Sequence, residues 1–422
     1  MPEETILTDD FLRELINVGE VDILIGVPTY NDAKTVGQVV QAIRAGLLKY
    51  FPRQRAVIVN ADGGSRDGSQ ELVRAASISD LQHASNVYAL RTLHCVSTEY
   101  SGGPSSSLAL HTILAAAELL QASSCAVVAP DSTNIEPGWI ESLLRPVTRD
   151  GFDLVTPVYR RHKFDGLLIR NLLYPMNRAL YLRRVREPYP LDFAFSGRLA
   201  THFLGQDLWS QEAGRIGAEI YLTISAIAGG FRLAQSFLGP RAHVEYAASD
   251  LVVAMRRSVG VLFWSLEQNG SVWQVQAESQ LIPTIGPDHE LSAEPLRVNP
   301  KRLHEMFVRG VAELEPVLKS ILSEATLSEL QRAATFPEED FRYSDELWVR
   351  TAYEFASAYH KAVMSRDHIV QALVPLYRGK AHTFLLENRD ASSEEVESNV
   401  ERLCVTFEKR KPSLLEMWDG RK

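Results

Sequence analysis

Residues Arg55–Ala76 read RAVIVNADGGSRDGSQELVRAA: an apolar run, a glycine-rich turn around Asp62-Gly63-Gly64, and a helical stretch. A glycine-rich strand-to-helix turn frees main-chain N–H groups and lets a ligand approach the backbone closely. The turn lacks both the GxGxxG spacing of a dinucleotide fold and the GK[ST] of a phosphate loop, so neither a Rossmann dehydrogenase nor a nucleoside triphosphatase is favoured. By itself the turn reads as an ordinary strand-to-helix connection. In the functional reading, the Asp62 carboxylate accepts a hydrogen bond from a base N–H or a ribose hydroxyl.

The pattern repeats on both sides. Residues 8–19 have the spacing of a short amphipathic helix, and VDILIGVPTY is an apolar run broken by Pro28. NDAKTVGQVVQAIRAGL follows with Val36, Val39, Val40, Ile43 and Leu47 at helical spacing, and Asn31 or Asp32 in place to cap it. A third strand is expected near Asn86–Thr92. SGGPSSSLALHTILAAAELL then reads as loop and helix, and SCAVVAPDST as strand and loop. Alternating strands and helices imply an α/β domain with a parallel sheet and right-handed crossovers. Ligands of such sheets bind beyond the carboxyl ends of the strands, where Pro28–Asp32, Asp62–Ser65 and Asp131 fall.

Beyond about residue 250 the texture changes to amphipathic helices, among them SDELWVRTAYEFASAYH and DHIVQALVPLYRGKAHTFLLEN, after a polar, proline-containing connection over Gln274–Pro300. The reading is an α/β domain over 1–250 and a helical C-terminal domain over 251–422. Trp348, Tyr353, Phe355 and Tyr359 recur at helical spacing and read as packing residues. With 422 residues the chain exceeds what one core supports. Its composition is 45% hydrophobic and 23% charged, ordinary for a globular protein. A net charge of −9 argues against nucleic acid as the main partner. Cys95, Cys125 and Cys404 form no CxxC pair, which points away from disulfides and zinc. No apolar run approaches the ~20 residues of a membrane span. The N-terminal MPEETILTDDFLREL has no basic region followed by an apolar core, so a cytoplasmic location is expected.

The loops PTYND and ADGGSRDGS, separated by one helix, resemble the nucleotide-binding half of GT-A (Rossmann-like) glycosyltransferases, which take a sugar nucleotide as donor. The resemblance implies that Pro28, Thr29, Tyr30 and Asn31 bracket the base and that Asp62 pairs with it. APDSTNIEPGWI, YPLDFAFSG, GAEIYLTISAIAGGFRLAQSFLGPRAH and the helical tail extend the likeness to the retaining synthases of glucosylglycerate, glucosyl-3-phosphoglycerate and mannosylglycerate. It implies a divalent cation, Mg²⁺ or Mn²⁺, held by Asp131 and His243 on the donor diphosphate, where it acts as Lewis acid and template. It also implies a homodimer.

Several positions depart from that family. Ala129 stands where the first acid of the DxD metal motif belongs. The lysine-bearing Gly-Lys-Gly loop reads Gly103-Pro104-Ser105, with Gly103 and Ser105 left to face the diphosphate. The acceptor loop reads Pro190-Leu191-Asp192-Phe193, and the Gly-Ile-Asp acid is Glu219. Losing a lysine beside a phosphate removes a charge-assisted contact of ~1.5–3 kcal/mol. Arg160 and Arg161, after the strand-like LVTPV, and Thr156 within it are the residues expected to meet an acidic acceptor, with Asp192 orienting its hydroxyl. The expectation is therefore a retaining hexosyltransferase acting from a UDP-glucose or GDP-mannose type donor onto a small acid such as glycerate or 3-phosphoglycerate. Asp131, Asp192 and Glu219 are its catalytic acids. The alternative is a non-catalytic sugar-nucleotide-binding relative with a degenerate DxD motif.

Overall fold

The structure is a computed structural model that describes residues 7–78, 93–241, 250–286 and 299–420. Contact clustering divides the chain into two compact units. The first comprises Met1–Arg160, Tyr189–Val244 and Ile282–Leu291; the second comprises Arg161–Pro188, Glu245–Leu281 and Ser292–Lys422.

The first unit is built on a mixed eight-stranded sheet. Its strands are β1 (Ile23–Thr29), β2 (Ala56–Asp62), β3 (Leu93–Glu99), β4 (Ser124–Val127), β5 (Leu154–Arg160), β6 (Phe193–Ser196), β7 (Leu233–Pro240) and β8 (Thr284–Ile285), in the order β3-β2-β1-β4-β6-β5-β7-β8. β1 pairs in parallel with β2 and β4, and β2 with β3. β6 is antiparallel to β4 and β5, while β5, β7 and β8 run parallel. Every residue of β2 and β4 is buried, as expected of interior strands covered on both faces. The helices Val36–Tyr50 and Pro137–Thr148 bury Val39, Val40, Ile43, Ile140, Leu143 and Leu144 in one core with Ile23, Ile25 and Ile58 of the sheet. The α/β expectation is met. The third strand begins at Leu93; the Asn86–Thr92 segment expected to form it lies outside the described residues.

The register places Thr29, Asp62 and Glu99 side by side at the carboxyl ends of β1, β2 and β3. β4 ends early, at Val127, after which the chain turns through Asp131–Asn134 into the helix Pro137–Thr148. Proline at the first position of that helix sacrifices no hydrogen bond and presets its φ.

The second unit contains the helices Asp250–Gln268, Pro300–Glu313, Glu315–Ile321, Glu324–Ala333, Asp345–His360, Arg366–Glu387 and Ser393–Trp418. The last starts with a reciprocal capping box between Ser392 and Glu395. Where a division at residue 250 was expected, the unit also takes in Arg161–Pro188, a stretch between β5 and β6. Side-chain chemistry accounts for this membership. Tyr174, Phe164, Leu167 and Ile169 pack with Phe384, Val396, Val400 and Cys404. The Arg178 guanidinium, 1% exposed, donates to Glu401 Oε1 at 2.8 Å and Glu408 Oε1 at 2.9 Å. Burying that cation is tolerable because both acids meet it. Among the described residues no helix is long and apolar enough to cross a membrane.

Candidate functional site

Four loops at the carboxyl ends of the first unit's strands are tied to one another. The Asn31 N–H donates to Ser65 Oγ at 2.8 Å, Asp32 N–H to Ser69 Oγ at 2.9 Å, and Ala33 N–H to Asp67 Oδ2 at 2.9 Å. In return the Arg66 N–H donates to Asn31 Oδ1 at 3.0 Å. Asn31 has φ of 58°, a left-handed conformation that asparagine tolerates better than most side chains. The 62–65 turn also abuts the loop after β3: a Cβ on Gly63 would lie 2.7 Å from the Tyr100 hydroxyl and 3.0 Å from Pro104 Cα. Gly63 is thus required by close approach, and Gly64, with φ of +87°, by backbone conformation. The 131–134 turn joins the group through Gln38, whose amide donates to the Thr133 carbonyl at 2.7 Å.

Asp62 organises this assembly from within. Its side chain is fully buried. Oδ1 accepts from Gly64 N–H at 2.9 Å, Ser65 N–H at 2.7 Å and Gln70 Nε2 at 3.1 Å. Oδ2 accepts from the hydroxyls of Thr29 and Ser65, both at 2.7 Å. Burial pushes the carboxyl up, but the bonds from Thr29, Ser65 and Gln70 outweigh it and hold the group below its ordinary value. The sequence reading aimed Asp62 at the base. In the structure its oxygens are taken by its own loop, by Thr29 of β1 and by Gln70, while Tyr30 beside it is 49% exposed. Asp32 behaves oppositely. Burial, with the charges of Asp131, Asp67 and Asp62, raises its carboxyl against the N–H of Tyr30. Asp32 does not cap the following helix by its side chain; the N-cap is Thr35.

The lone acid after β4 has company that is distant in sequence. Asp131 is 27% exposed, and its Oδ1 accepts from Arg241 Nη2 at 3.0 Å. Arg241 Nη1 donates at 3.0 Å to Oδ2 of Asp192, whose side chain is fully buried. Asp192 Oδ1 accepts from Ala129 N–H at 2.8 Å and from Ser132 Oγ at 3.1 Å, and the Tyr159 hydroxyl donates to Oδ2. Asp192 therefore brings a second carboxylate up to the backbone of Ala129, the residue where the motif lacks its first acid. This corrects the expected role of Asp192: buried and saturated by these donors, it offers nothing to an acceptor hydroxyl. Asn134 Nδ2 donates to the Pro240 carbonyl and fixes the chain just before Arg241.

A third cluster surrounds Glu219, which is 9% exposed. Ser106 Oγ donates to Oε1 at 2.9 Å and Ser107 Oγ to Oε2 at 3.1 Å. The helix Glu212–Ala228 is interrupted at Gly217, with φ −168° and ψ 43°, and Ala218 N–H, freed there, donates to Ser107 Oγ at 2.9 Å. Ser105 caps the neighbouring helix Ser106–Leu119 and donates to the Arg215 carbonyl at 3.3 Å. Gly103, with φ +79°, is exposed beside it.

The structure does not gather the remaining expected residues. Thr156 is 1% exposed inside β5, its hydroxyl without a hydrogen-bond partner among the described residues. Arg161 belongs to the second unit and is committed there to Glu187 at 2.8 Å and Asp165 at 3.1 Å, which corrects its assignment to an acceptor. Arg160 is exposed at the end of β5. His243 lies outside the described residues. Arg241 was passed over in the sequence, although an arginine two residues from an expected metal ligand, at a strand end, was a usable signal.

Among the described residues no group of three or more His, Cys, Asp or Glu side chains is arranged to hold a metal ion. Asp131 still fits as one ligand. Among the described residues its carboxylate is hydrogen-bonded only through Oδ1, and a partly exposed carboxylate oxygen suits a hard divalent cation.

No protein-family model matches the chain, and no curated protein matches it. Solved structures do. Glucosyl-3-phosphoglycerate synthase from Mycobacterium tuberculosis in complex with phosphoglyceric acid is 23% identical over 64% of this chain and 86% of that one, with a TM-score of 0.45. The same synthase in complex with Mn²⁺, uridine diphosphate and glucosyl-3-phosphoglycerate is 22% identical over 64% and 86%, with a TM-score of 0.44. A structure described as a mycobacterial protein is 20% identical over 64% and 80%, with a TM-score of 0.43. The chain is thus similar, at low identity, to solved structures of glucosyl-3-phosphoglycerate synthase.

Proposed function

We propose that the chain is a retaining GT-A glycosyltransferase that moves a hexose from a nucleoside-diphosphate sugar to a small acidic acceptor. The observation that supports this best is the convergence of Tyr30–Asp32, the Asp62 loop, the Tyr100–Ser105 loop and the Asp131 turn at the carboxyl ends of adjacent strands. A sheet of this kind binds ligands there.

In this reading Tyr30 and the main chain of the Asn31 loop bracket the base, and Asp62 acts on the donor by holding the loop in shape. Gly103 and Ser105 present main chain and hydroxyl to the diphosphate. A divalent cation at Asp131, with His243 as its second expected ligand, would stabilise the charge that develops on the leaving diphosphate. Asp192 positions Asp131 through Arg241, and Ser132 ties the same turn to Asp192. Glu219, fixed by two serine hydroxyls, stands as the acid of the kinked helix. Arg160, exposed at the end of β5, is the cation that would meet an acidic acceptor. In the retaining course carried over from the resemblance, the departing phosphate oxygen takes the acceptor proton on the face that the acceptor enters.

Calorimetry with UDP-glucose and GDP-mannose, with and without Mn²⁺, followed by a product screen over small acids, tests the proposal. Metal-dependent donor binding and a product with retained anomeric configuration by NMR support it; inversion would rule out the mechanism. The reading of a sugar-nucleotide-binding relative without turnover draws on Ala129 and on the internal commitment of Asp192. Donor binding that ignores metal, with no product from any acid, would favour it. Light scattering tests the homodimer.

A further inference from the structure

Arg241 enters the Asp131 turn as a fork whose two ends are held unequally. Nη1 is anchored: it lies 3.0 Å from Asp192 Oδ2 and 3.4 Å from the Tyr159 hydroxyl, with the guanidinium carbon 5.5 Å from the centre of the Tyr159 ring. Its acceptor is fully buried and keeps Ala129 N–H, Ser132 and Tyr159 whatever Nη2 does. Nη2 meets Asp131 at 3.0 Å, and that carboxylate is partly exposed, with no other hydrogen bond to it among the described residues. Between its contacts to Asp192 and Asp131, the one to the partly exposed Asp131 is the one that can yield.

The surroundings give that contact a purpose. Burial first, and then the charge of Asp131 with those of Asp67 and Asp62, raises the carboxyl of Asp32. The Asp131 carboxylate thus stands near a like charge, that of Asp32. The guanidinium compensates it. A divalent cation would do the same, and two cations at one carboxylate edge repel each other.

We infer that Arg241 is the resident counter-ion of Asp131, which a divalent cation must displace, so that this arginine sets the affinity and selectivity of the site for cations. Asp192 is the anchor that keeps the displaced guanidinium in place and ready to return. The inference rests on the reading of Asp131 as a cation ligand.

Mn²⁺ binding to the full chain, followed by the electron paramagnetic resonance of free Mn²⁺ with and without UDP, tests it. Arg241→Met removes the charge and keeps the stem; Arg241→Gln retains hydrogen bonding and serves if the methionine variant does not fold. Releasing a charge-assisted contact predicts Mn²⁺ binding tighter by about ten- to hundredfold in either variant. Arg241→Lys, which keeps the charge, should stay near the wild-type value. Asp131→Asn should lose the site. Should Asp131→Asn bind Mn²⁺ like the wild type, or the wild type bind none in either condition, the reading of Asp131 as a ligand fails. Should Asp131→Asn lose binding while both neutral Arg241 variants bind Mn²⁺ no more tightly than wild type, displacement alone is overturned and the arginine is a support of the site.

Discussion

Asp192 and Asp131 are joined through a single guanidinium: Arg241 donates to Oδ2 of the first and Oδ1 of the second, each at 3.0 Å. One acid is fully buried and the other partly exposed. The two acids therefore differ in access: Asp192 is enclosed by its donors, and Asp131 reaches solvent. Asp192→Asn puts an amide N–H₂ or a neutral oxygen among donors from Ala129, Ser132, Tyr159 and Arg241. Removing one partner of a buried ion pair costs about 3–5 kcal/mol. The expected result is a melting temperature lower by several degrees, with weaker Mn²⁺ binding as a consequence. A variant as stable as the wild type would show that the buried carboxylate is not needed by the turn.

Asp62 gives a second separation of roles. If it serves the donor by shaping its loop, Asp62→Asn should weaken UDP binding and also speed hydrogen exchange at the Gly64 and Ser65 amides, its present donors. A direct contact to the base would weaken binding with those amides unchanged. The pH sense follows from its lowered carboxyl. The group stabilises the fold above the ordinary carboxylate value near 3.9, and that contribution is lost as pH falls through the lower folded value.

The strand ends that carry the candidate site were legible from the order of apolar runs and polar turns, because buried parallel strands must be apolar and must stop where polar loops begin. Pro28–Asp32, Asp62–Ser65 and Asp131 all lie there. The partners were not legible. Asp192 meets Ala129 across 63 residues and Arg241 meets Asp131 across 110, and no periodicity reports such distances. Arg161–Pro188 was equally hidden. Its apolar residues look the same in sequence whichever core receives them, and the structure shows the choice in contacts such as the pairing of Arg178 with Glu401 and Glu408.

The basic cluster illustrates how charge misleads when read without partners. Arg161 is paired with Glu187 and Asp165, both largely buried, whereas Arg160 is exposed. Arg161→Ala should therefore lower thermal stability by strand-end loosening of its ion pairs, about 1–3 kcal/mol, and leave the KM for an acidic acceptor unchanged. Arg160→Ala should raise that KM about tenfold. The two KM values, measured side by side, decide which arginine faces the acceptor.

Histidine 382 makes the last prediction, in the helical unit. His382 is fully buried, and among the described residues neither ring nitrogen has a hydrogen-bond partner. Its ring lies 5.4 Å from those of His304 and Phe341, and Glu338 Oε1 stands 3.8 Å from Nε2, too far for a hydrogen bond. Burial first, then the charges of His304 and Arg342, push it down to about 4. The folded value lies below the unfolded value of about 6.5, so the unfolded chain binds the proton first. Stability from the neutral ring is complete above about pH 6.5 and declines as pH falls toward about 4, by up to about 1.4 kcal/mol per pH unit. His382→Phe keeps an aromatic ring among its neighbours and removes the titration. Its melting temperature should fall less steeply between pH 6.5 and 4 than that of the wild type. Parallel slopes for the two proteins would mean that His382 is not the group that takes up the proton.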